Sequence, residues 1–291
     1  MGAKLSLDDV IFETGGGATN AAVTFRHFGL RTACVCRVGN DDNGKAVVQA
    51  LKKARVAMRG VQIDHEDKTG YSIILLAGSG HRSILVYRGA AANLHVQSVP
   101  WRWLRSRWFY LTSLGDDLKK ANAVFVQANK MEARVAWNPG NGELTHGLHR
   151  LSGLIRQTDI LIMNREEAAK LADEAPRHLD RIVAKLGHLP RIALVVTDGA
   201  NGAYVFESKT QGFWHGTALP GKKVNTTGAG DAFGSGFVSS YIKIGNLDKA
   251  LRVGLCNSHG VITHMGAKAG ILAKYPSDRE LNKARVRPSS L

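Results

Sequence analysis

The sequence predicts an α/β protein whose doubly wound, mostly parallel sheet is covered by helices on both faces. Apolar, β-rich runs alternate with helical patterns through most of the chain, as in folds built from strand-helix-strand units. The 291 residues are 44% hydrophobic and 22% charged, which is the composition of a folded globular protein with a substantial core.

The individual elements follow from this alternation. Strands are predicted at 32–38, 108–112, 134–138, 159–163 and 192–197, with shorter ones at 203–207 and 213–218. Helices are predicted at 19–28, 44–54, 118–129, 165–173, 179–186, 229–243 and 247–264. No linker or repeat divides the chain, so a single domain over 1–291 is expected.

One stretch interrupts the alternation. Two β-rich runs, 71–76 and 82–87, are separated by a glycine-containing turn and predict a hairpin. With a further strand at 10–13, the hairpin could form a small projecting sheet. The segments at about 4–14 and 60–90 would then act as a lid over a site, and a simple extension of the sheet edge is the alternative.

Composition narrows the classes of partner. The formal charge of +15 favours anionic partners such as ATP or RNA, but the basic residues are scattered, which argues against nucleic acid. No apolar run is long enough to span a membrane, and the first residues lack a signal-peptide core, so a cytoplasmic protein is expected. The three cysteines lack zinc-ligand spacing and predict buried thiols, with Cys34 and Cys36 on opposite faces of a strand.

The segment with the clearest chemistry is Asn225-Thr226-Thr227-Gly228-Ala229-Gly230-Asp231. Glycines allow main-chain amides to approach a phosphate closely, and a helix that begins there adds a partial positive charge. Asp231, in the first helical turn, could accept a proton from a hydroxyl that attacks a phosphorus atom. The alternative is an acidic residue that only favours the helix start.

This segment resembles the C-terminal signature of the ribokinase-like (PfkB-type) carbohydrate kinases, D-T-x-G-A-G-D, at every place except the first. The resemblance implies that Asp231 is the catalytic base and that the amides of Gly228, Ala229 and Gly230 form an anion hole. Residues 15–22, with their glycine triplet, resemble the N-terminal signature of the same family. That match implies that Gly16, Gly17 and Asn20 bind the hydroxyl groups of the substrate.

Two further segments occur in the order that the family has. Residues 164–167 resemble the N-x-x-E motif, which implies that Asn164 contacts the nucleotide and that Glu167 helps to hold Mg²⁺ through water. A capping box at a helix start would explain the same spacing. Residues 196–202 resemble the turn beside the nucleotide, where Thr197, Gly199 and Gly202 are the candidates. ATP and Mg²⁺ are therefore the expected cofactors.

Two departures from the family pattern affect the expected activity. Residue 225 is Asn where the family usually has Asp, so a monovalent cation site at Asn225 and Thr227 would lack a negative charge, which weakens the case for K⁺. The family's usual first strand and its sugar-gripping Asp are not found before the lid segment. A central strand is therefore expected to be missing.

The resemblance implies transfer of the ATP γ-phosphoryl group to a primary hydroxyl of a ribose-like or fructose-like sugar. A nucleoside kinase is the alternative within the family, and a catalytically idle sugar- or nucleotide-binding protein is the alternative of another class. The resemblance also implies a homodimer formed through the lid.

Overall fold

The computed structural model describes residues 7–76 and 82–290. Its strands are β1 Ala33–Gly39, β2 Ala57–Asp64, β3 Tyr71–Leu76, β4 Arg82–Tyr87, β5 Trp108–Leu111, β6 Arg134–Trp137, β7 Ile160–Asn164, β8 Ala193–Thr197, β9 Ala203–Glu207, β10 Phe213–Gly216 and β11 Val286–Pro288. Its helices are α1 Gly17–His27, α2 Asp42–Lys53, α3 Leu118–Lys130, α4 Asn141–Leu144, α5 Gly147–Ile155, α6 Arg165–Ala172, α7 Leu179–Leu186, α8 Ala229–Ile244, α9 Leu247–Ile262 and α10 Asp278–Leu281.

A seven-stranded sheet with the order β11-β10-β9-β8-β7-β6-β5 forms the centre of the molecule. Strands β5 to β8 are parallel, and β9, β10 and β11 add an antiparallel edge. The central strands β7 and β8 are buried at all but their last residue, as parallel strands covered on both faces must be. This architecture confirms the predicted fold class.

Helices cover both faces of the sheet and enclose two apolar cores. One core lies between the sheet and α3, α5, α6 and α7, with Trp137 fully buried in it. The other lies under α1, α8 and α9, with Phe237 at its centre. The carboxyl ends of β7 and β8 and the starts of α6 and α8 line one cavity. The crevice at the carboxyl ends of the strands is the usual ligand site in such folds.

The sheet is interrupted between β5 and β1. Strands β1 and β2 pair in parallel as a separate two-stranded sheet, and β5 pairs with β6 alone in the described part of the chain. Helix α1 covers both sides of the interruption, since Phe25 packs edge-on against Tyr110 of β5 and Ala22 packs near Cys34 of β1. The expectation that a central strand is missing stays a prediction.

The hairpin forms where the sequence predicted it. Among the described residues, strands β3 and β4 pair in antiparallel fashion with each other only, in register from Tyr71 with Tyr87 to Leu76 with Arg82. The turn at 77–81 lies outside the described residues. Residues 10–13 form no strand, so the prediction of a third lid strand there was wrong, and residues 60–64 belong to β2.

Other parts of the structure differ from the sequence predictions. Helices α4, α5 and α10 and strand β11 were not predicted. Strand β2 was not predicted, because Arg59, Gly60 and Gln62 dilute its apolar pattern. Cys34 and Cys36 do not face opposite ways: side chains alternate along a strand, so residues two apart share a face. Their thiols interact, and the interaction with Cys36 raises the pKa of the Cys34 thiol.

Across residues 7–76 and 82–290, no helix combines the length and apolarity that crossing a membrane requires.

Candidate active site

Helix α8 begins at a glycine turn. Gly228 is its N-cap residue and has a φ of 81°, in the left-handed region that glycine adopts without strain. A Cβ atom at this position would lie 2.6 Å from the main-chain oxygen of Ala267, so the turn is also closely packed. Conformation and packing both require glycine here.

The turn exposes only part of the predicted anion hole. Gly228 and Gly230 line a cavity of about 240 Å³, together with the side chain of Asp231. The amide of Ala229 instead donates to the main-chain oxygen of Thr226 at 3.2 Å. Two of the three predicted donors, Gly228 and Gly230, therefore lie where an anion in the cavity could reach them.

Asp231 lines the same cavity. Burial raises the pKa of its carboxyl group. A hydrogen bond from Asn20 and the positive charge of Lys268 act in the opposite direction and favour the carboxylate. The Asn20 Nδ2 atom donates to Asp231 Oδ2 at 2.8 Å, which fixes the orientation of the carboxylate.

Strand β7 and helix α6 supply a second wall of the cavity. Asn164 caps α6, and its Oδ1 accepts from the Glu167 amide at 2.7 Å while Glu167 Oε2 accepts from the Asn164 amide at 2.9 Å. The capping box named as an alternative is therefore present. Both residues also line the cavity, so the capping box does not exclude the functional interpretation, which stays a prediction.

This wall suits a magnesium-bound phosphate. Burial raises the pKa of Glu167, whose carboxylate shares the cavity with the amide groups of Asn138 and Asn164. Within the described ranges, no group of three or more His, Cys, Asp or Glu side chains forms a metal cage. Mg²⁺ commonly takes one or two carboxylates and completes its shell with water and phosphate oxygens, so these residues fit it.

The third wall is the end of β8. Thr197 lines the cavity, and the turn that follows contains Gly199 with a φ of 52° and Gly202 with a φ of 92°. Gly199 has open space around its Cα, whereas a Cβ on Gly202 would clash with the main-chain oxygen of Gly216. Gly199 can thus face a ligand, and Gly202 holds the shape of the turn.

The predicted substrate residues lie at the start of α1, on the other side of Asp231. Gly16 is the N-cap residue with a φ of 97°, and a Cβ on Gly17 would lie 3.1 Å from the Thr112 side chain. Asn20 is buried, and its Oδ1 has no hydrogen-bond partner among the described residues. The Asn20 amide therefore links the start of α1 to the proposed base.

The candidate cation residues lie just before the α8 turn. Asn225 Oδ1 accepts from the Thr227 amide at 2.7 Å, and Asn225 Nδ2 donates to Met265 Sδ at 3.2 Å. The Thr227 hydroxyl is buried without a hydrogen-bond partner in the part of the chain that the structure describes. Asn225 thus braces the turn through its own side chain and brings no charge to it.

Sequence reasoning missed three residues near the site. Asn138 lines the cavity, and its Nδ2 donates to the Ile162 main-chain oxygen at 2.8 Å. Glu143 is fully buried and accepts from the Ser113 hydroxyl and from the amides of Leu114 and Gly140. The positive charge of Lys268 acts to lower the pKa of Asp231. Asn138 follows β6, Glu143 lies in the short helix α4 and Lys268 lies in the loop after α9, and their partners come from distant segments that only the tertiary structure reveals.

Comparison with known proteins supports the resemblance over nearly the whole chain. The model of the pfkB family carbohydrate kinases matches residues 4–274. The ATP-dependent ribose-1-phosphate kinase of Halopiger xanaduensis is 28% identical, over 86% of this chain and 79% of that protein. The nucleoside kinase of Methanocaldococcus jannaschii is 22% identical, over 94% and 86%.

A solved structure shares the fold. An E. coli protein described as ribokinase II, in complex with ATP and Mg²⁺, superposes with a TM-score of 0.79 at 19% identity, covering 96% of this chain and 92% of that one. Both signatures lie within the matched range, and the structure brings their residues together at Asp231. The chain therefore belongs to the pfkB family of carbohydrate kinases and is an ATP-dependent sugar or nucleoside kinase.

Proposed function

We propose that this kinase transfers the γ-phosphoryl group of ATP to a primary hydroxyl of a ribose-like or fructose-like sugar, with Asp231 as the base. One observation carries the proposal: the Asp231 carboxylate shares a cavity with Gly228, Gly230 and Glu167. A proton acceptor, main-chain donors and a carboxylate suited to Mg²⁺ are the groups that phosphoryl transfer requires.

The residues divide the chemistry between them. Asp231 takes the proton of the attacking hydroxyl as its oxygen bonds to the γ-phosphorus, and the bond to the β-phosphate oxygen breaks to release ADP. The amides of Gly228 and Gly230 stabilise the charge on the transferred group. Asn164, Thr197 and Gly199 flank the nucleotide, and the turn at Gly202 keeps them in place. Mg²⁺, held through Glu167, would neutralise phosphate charge.

The acceptor lies on the α1 side of Asp231. Gly16 and Gly17 turn the chain into α1, and the unpaired Asn20 Oδ1 can accept from a sugar hydroxyl. An acceptor bound there would present its hydroxyl between the Asp231 carboxylate and the γ-phosphate. A requirement for K⁺ is not expected, because the Asn225 oxygen already accepts from the Thr227 amide and carries no charge.

A panel of acceptors tests the proposal. Ribose, fructose, ribose 1-phosphate, adenosine, cytidine and inosine would each be incubated with ATP and Mg²⁺, with coupled detection of ADP, in K⁺ and in Na⁺ buffers. We expect turnover with a free sugar at similar rates in the two buffers. Turnover with nucleosides alone would instead establish the nucleoside kinase, and calorimetric binding of a sugar without ADP release would establish the idle binding protein.

We also propose that the hairpin joins two copies of the chain. Its residues Tyr71, Ile73, Leu75, Leu85 and Tyr87 are at least 40% exposed and alternate along β3 and β4, so they form one apolar face. An exposed apolar face of this kind usually marks an interface. We further propose that the enzyme acts in the cytoplasm, because its proposed phosphoryl donor is ATP.

Sedimentation tests the dimer. The wild-type chain should sediment as a dimer, and Ile73→Glu should sediment as a monomer because a charge cannot be buried unpaired in an apolar interface. Ile244→Glu on α8 is the matched control, since Ile244 is 46% exposed and Ile73 is 47% exposed. A wild-type monomer, or the same change in both variants, would contradict a hairpin interface.

A further inference from the structure

Lys268 connects the loop after α9 to the start of α1. Its Nζ donates to the main-chain oxygen of Thr14 at 2.8 Å, to the Thr14 hydroxyl at 3.2 Å and to the main-chain oxygen of Gly15 at 3.4 Å. These oxygens belong to the turn that leads into Gly16 and Gly17. The ammonium group thus holds the turn on which the acceptor is expected to bind.

The same loop also contacts the anion hole. The main-chain oxygen of Ala267 lies against Gly228, and Gly266, with a φ of 100°, lies against the side chain of Glu13. Lys268 follows these residues directly. One short loop therefore contacts both the glycine turn of α8 and the chain that precedes α1.

The charges around Asp231 give Lys268 a second role. Asn20 of α1 donates a hydrogen bond to the Asp231 carboxylate. Burial and the negative charge of Asp231 raise the pKa of the Tyr110 hydroxyl of β5. Within the described residues, Lys268 contributes the one positive charge found to act on Asp231. The groups that face Lys268 in turn are Asp231, Glu13, Cys34 and Cys36. Burial lowers the pKa of Lys268 to about 8, so the group is still mostly a cation at neutral pH.

We propose that Lys268 is a positioning residue that fixes the Thr14 to Gly17 turn against the anion hole and holds a positive charge on the loop that packs against Gly228. The inference rests on the proposed role of Asp231 as the base. The charge of Lys268 favours the ionised form of the Asp231 carboxyl group, which is the form that can accept a proton. The three donated hydrogen bonds set the position of the acceptor relative to that carboxylate.

The pH profile of kcat/KM separates this role from simple loop packing. Lys268→Met keeps the length of the side chain but removes its charge, so the pKa of Asp231 rises and the acid limb of the profile moves to higher pH. We expect a loss of roughly tenfold or more on the acid side and a smaller loss at alkaline pH. Lys268→Arg, which stays charged, should restore the position of the acid limb.

Lys274→Met, a change at an exposed lysine of the same C-terminal region, is the matched control and should leave the profile unchanged. A uniform loss at every pH in Lys268→Met, with the limb in its wild-type position, would overturn the proposal in favour of loop packing. A Lys268→Arg profile that matches Lys268→Met would also contradict it.

A second readout does not depend on turnover. The Asp231 carboxyl carbon can be titrated by ¹³C NMR in protein labelled at aspartate, with Asp231→Asn to assign the signal. A higher Asp231 pKa in Lys268→Met than in the wild type supports the charge effect, and equal values refute it. This outcome does not depend on whether Lys268→Met is active. If no acceptor is turned over by the wild type, the proposed function fails while this titration still decides the role of Lys268.

Discussion

Asp231→Asn should lose at least about a thousandfold in kcat while its affinity for ATP stays close to that of the wild type. The amide oxygen of Asn can still accept from Asn20 Nδ2, so the geometry that the 2.8 Å hydrogen bond sets is retained. The amide cannot accept the hydroxyl proton. Coupled ADP detection measures the rate, and calorimetry with ATP and Mg²⁺ measures the affinity.

The same variant should not be less stable than the wild type. Because burial raises the pKa of Asp231 in the folded chain, the folded state binds the proton more tightly than the unfolded state does. Stability from this group is present below the unfolded pKa and is lost as the pH rises through the folded pKa, so at neutral pH the carboxylate destabilises the fold. Asn removes that cost, and the melting temperature should stay level or rise.

Asp42→Asn is the control for this substitution, since Asp42 also lies in the first turn of a helix but is exposed. It should keep the wild-type rate. An Asp231→Asn variant that retained most of its activity would show that another group accepts the proton, and a variant that lost ATP binding as well would show that the substitution disturbs the nucleotide site.

Gly228→Ala should have the second largest effect. The Cβ would lie 2.6 Å from the Ala267 oxygen at a φ of 81°, so the turn must shift and the anion hole with it. We expect kcat to fall by roughly a hundredfold or more. We also expect the free energy of unfolding to fall by about 2 kcal/mol or more, from backbone strain and the clash together.

Gly245→Ala separates these two causes. Gly245 ends the same helix with a φ of 72°, and a Cβ there would meet no atom within 4 Å. This variant should lose about 1–2 kcal/mol of stability from the left-handed backbone alone and keep its kcat. Chemical denaturation and steady-state rates measured for both variants provide the comparison. Equal rates in the two variants would mean that the Gly228 turn does not take part in transfer.

The parts of the site that could be predicted from sequence are those set by local geometry. A glycine turn that opens a helix and an Asn-x-x-Glu capping box depend on residues a few positions apart, so both were predicted from the sequence. The role of Glu167 toward Mg²⁺ came from the family resemblance and not from this spacing. The antiparallel β3 and β4 were also predicted, since a hairpin needs only a turn between two apolar runs.

The parts that could not be predicted depend on contacts between distant segments. Asn20 and Asp231 are 211 positions apart, and Lys268 reaches Thr14 across 254 positions, so no local pattern reveals either hydrogen bond. Strand β2 was missed because Gly60 weakens its pattern. Glycine is needed there because a Cβ would lie 2.7 Å from the Val35 side chain and 2.9 Å from the Cys34 main-chain oxygen on the neighbouring strand.

The hydrogen bond from the Ala229 amide to the Thr226 main-chain oxygen was also not predicted, although the two residues are close in sequence. The signature implied three amide donors, but the amide of Ala229 turns back to the Thr226 oxygen. Which amides face a ligand depends on how Gly228 bends the chain, and that bend is set by the packing of Ala267 against it. A motif identifies the residue types, while the loop that packs on it sets their directions.

A crystal structure with an ATP analogue that resists transfer, Mg²⁺ and the accepted sugar would show whether Asp231 and the glycine turn meet the reacting groups. We expect the γ-phosphate to lie within about 3 Å of the Gly228 and Gly230 amides. We also expect the acceptor hydroxyl to lie between that phosphate and the Asp231 carboxylate. A γ-phosphate bound away from these amides, or an Asp231 with no acceptor hydroxyl in hydrogen-bond reach, would contradict the proposed roles of these groups.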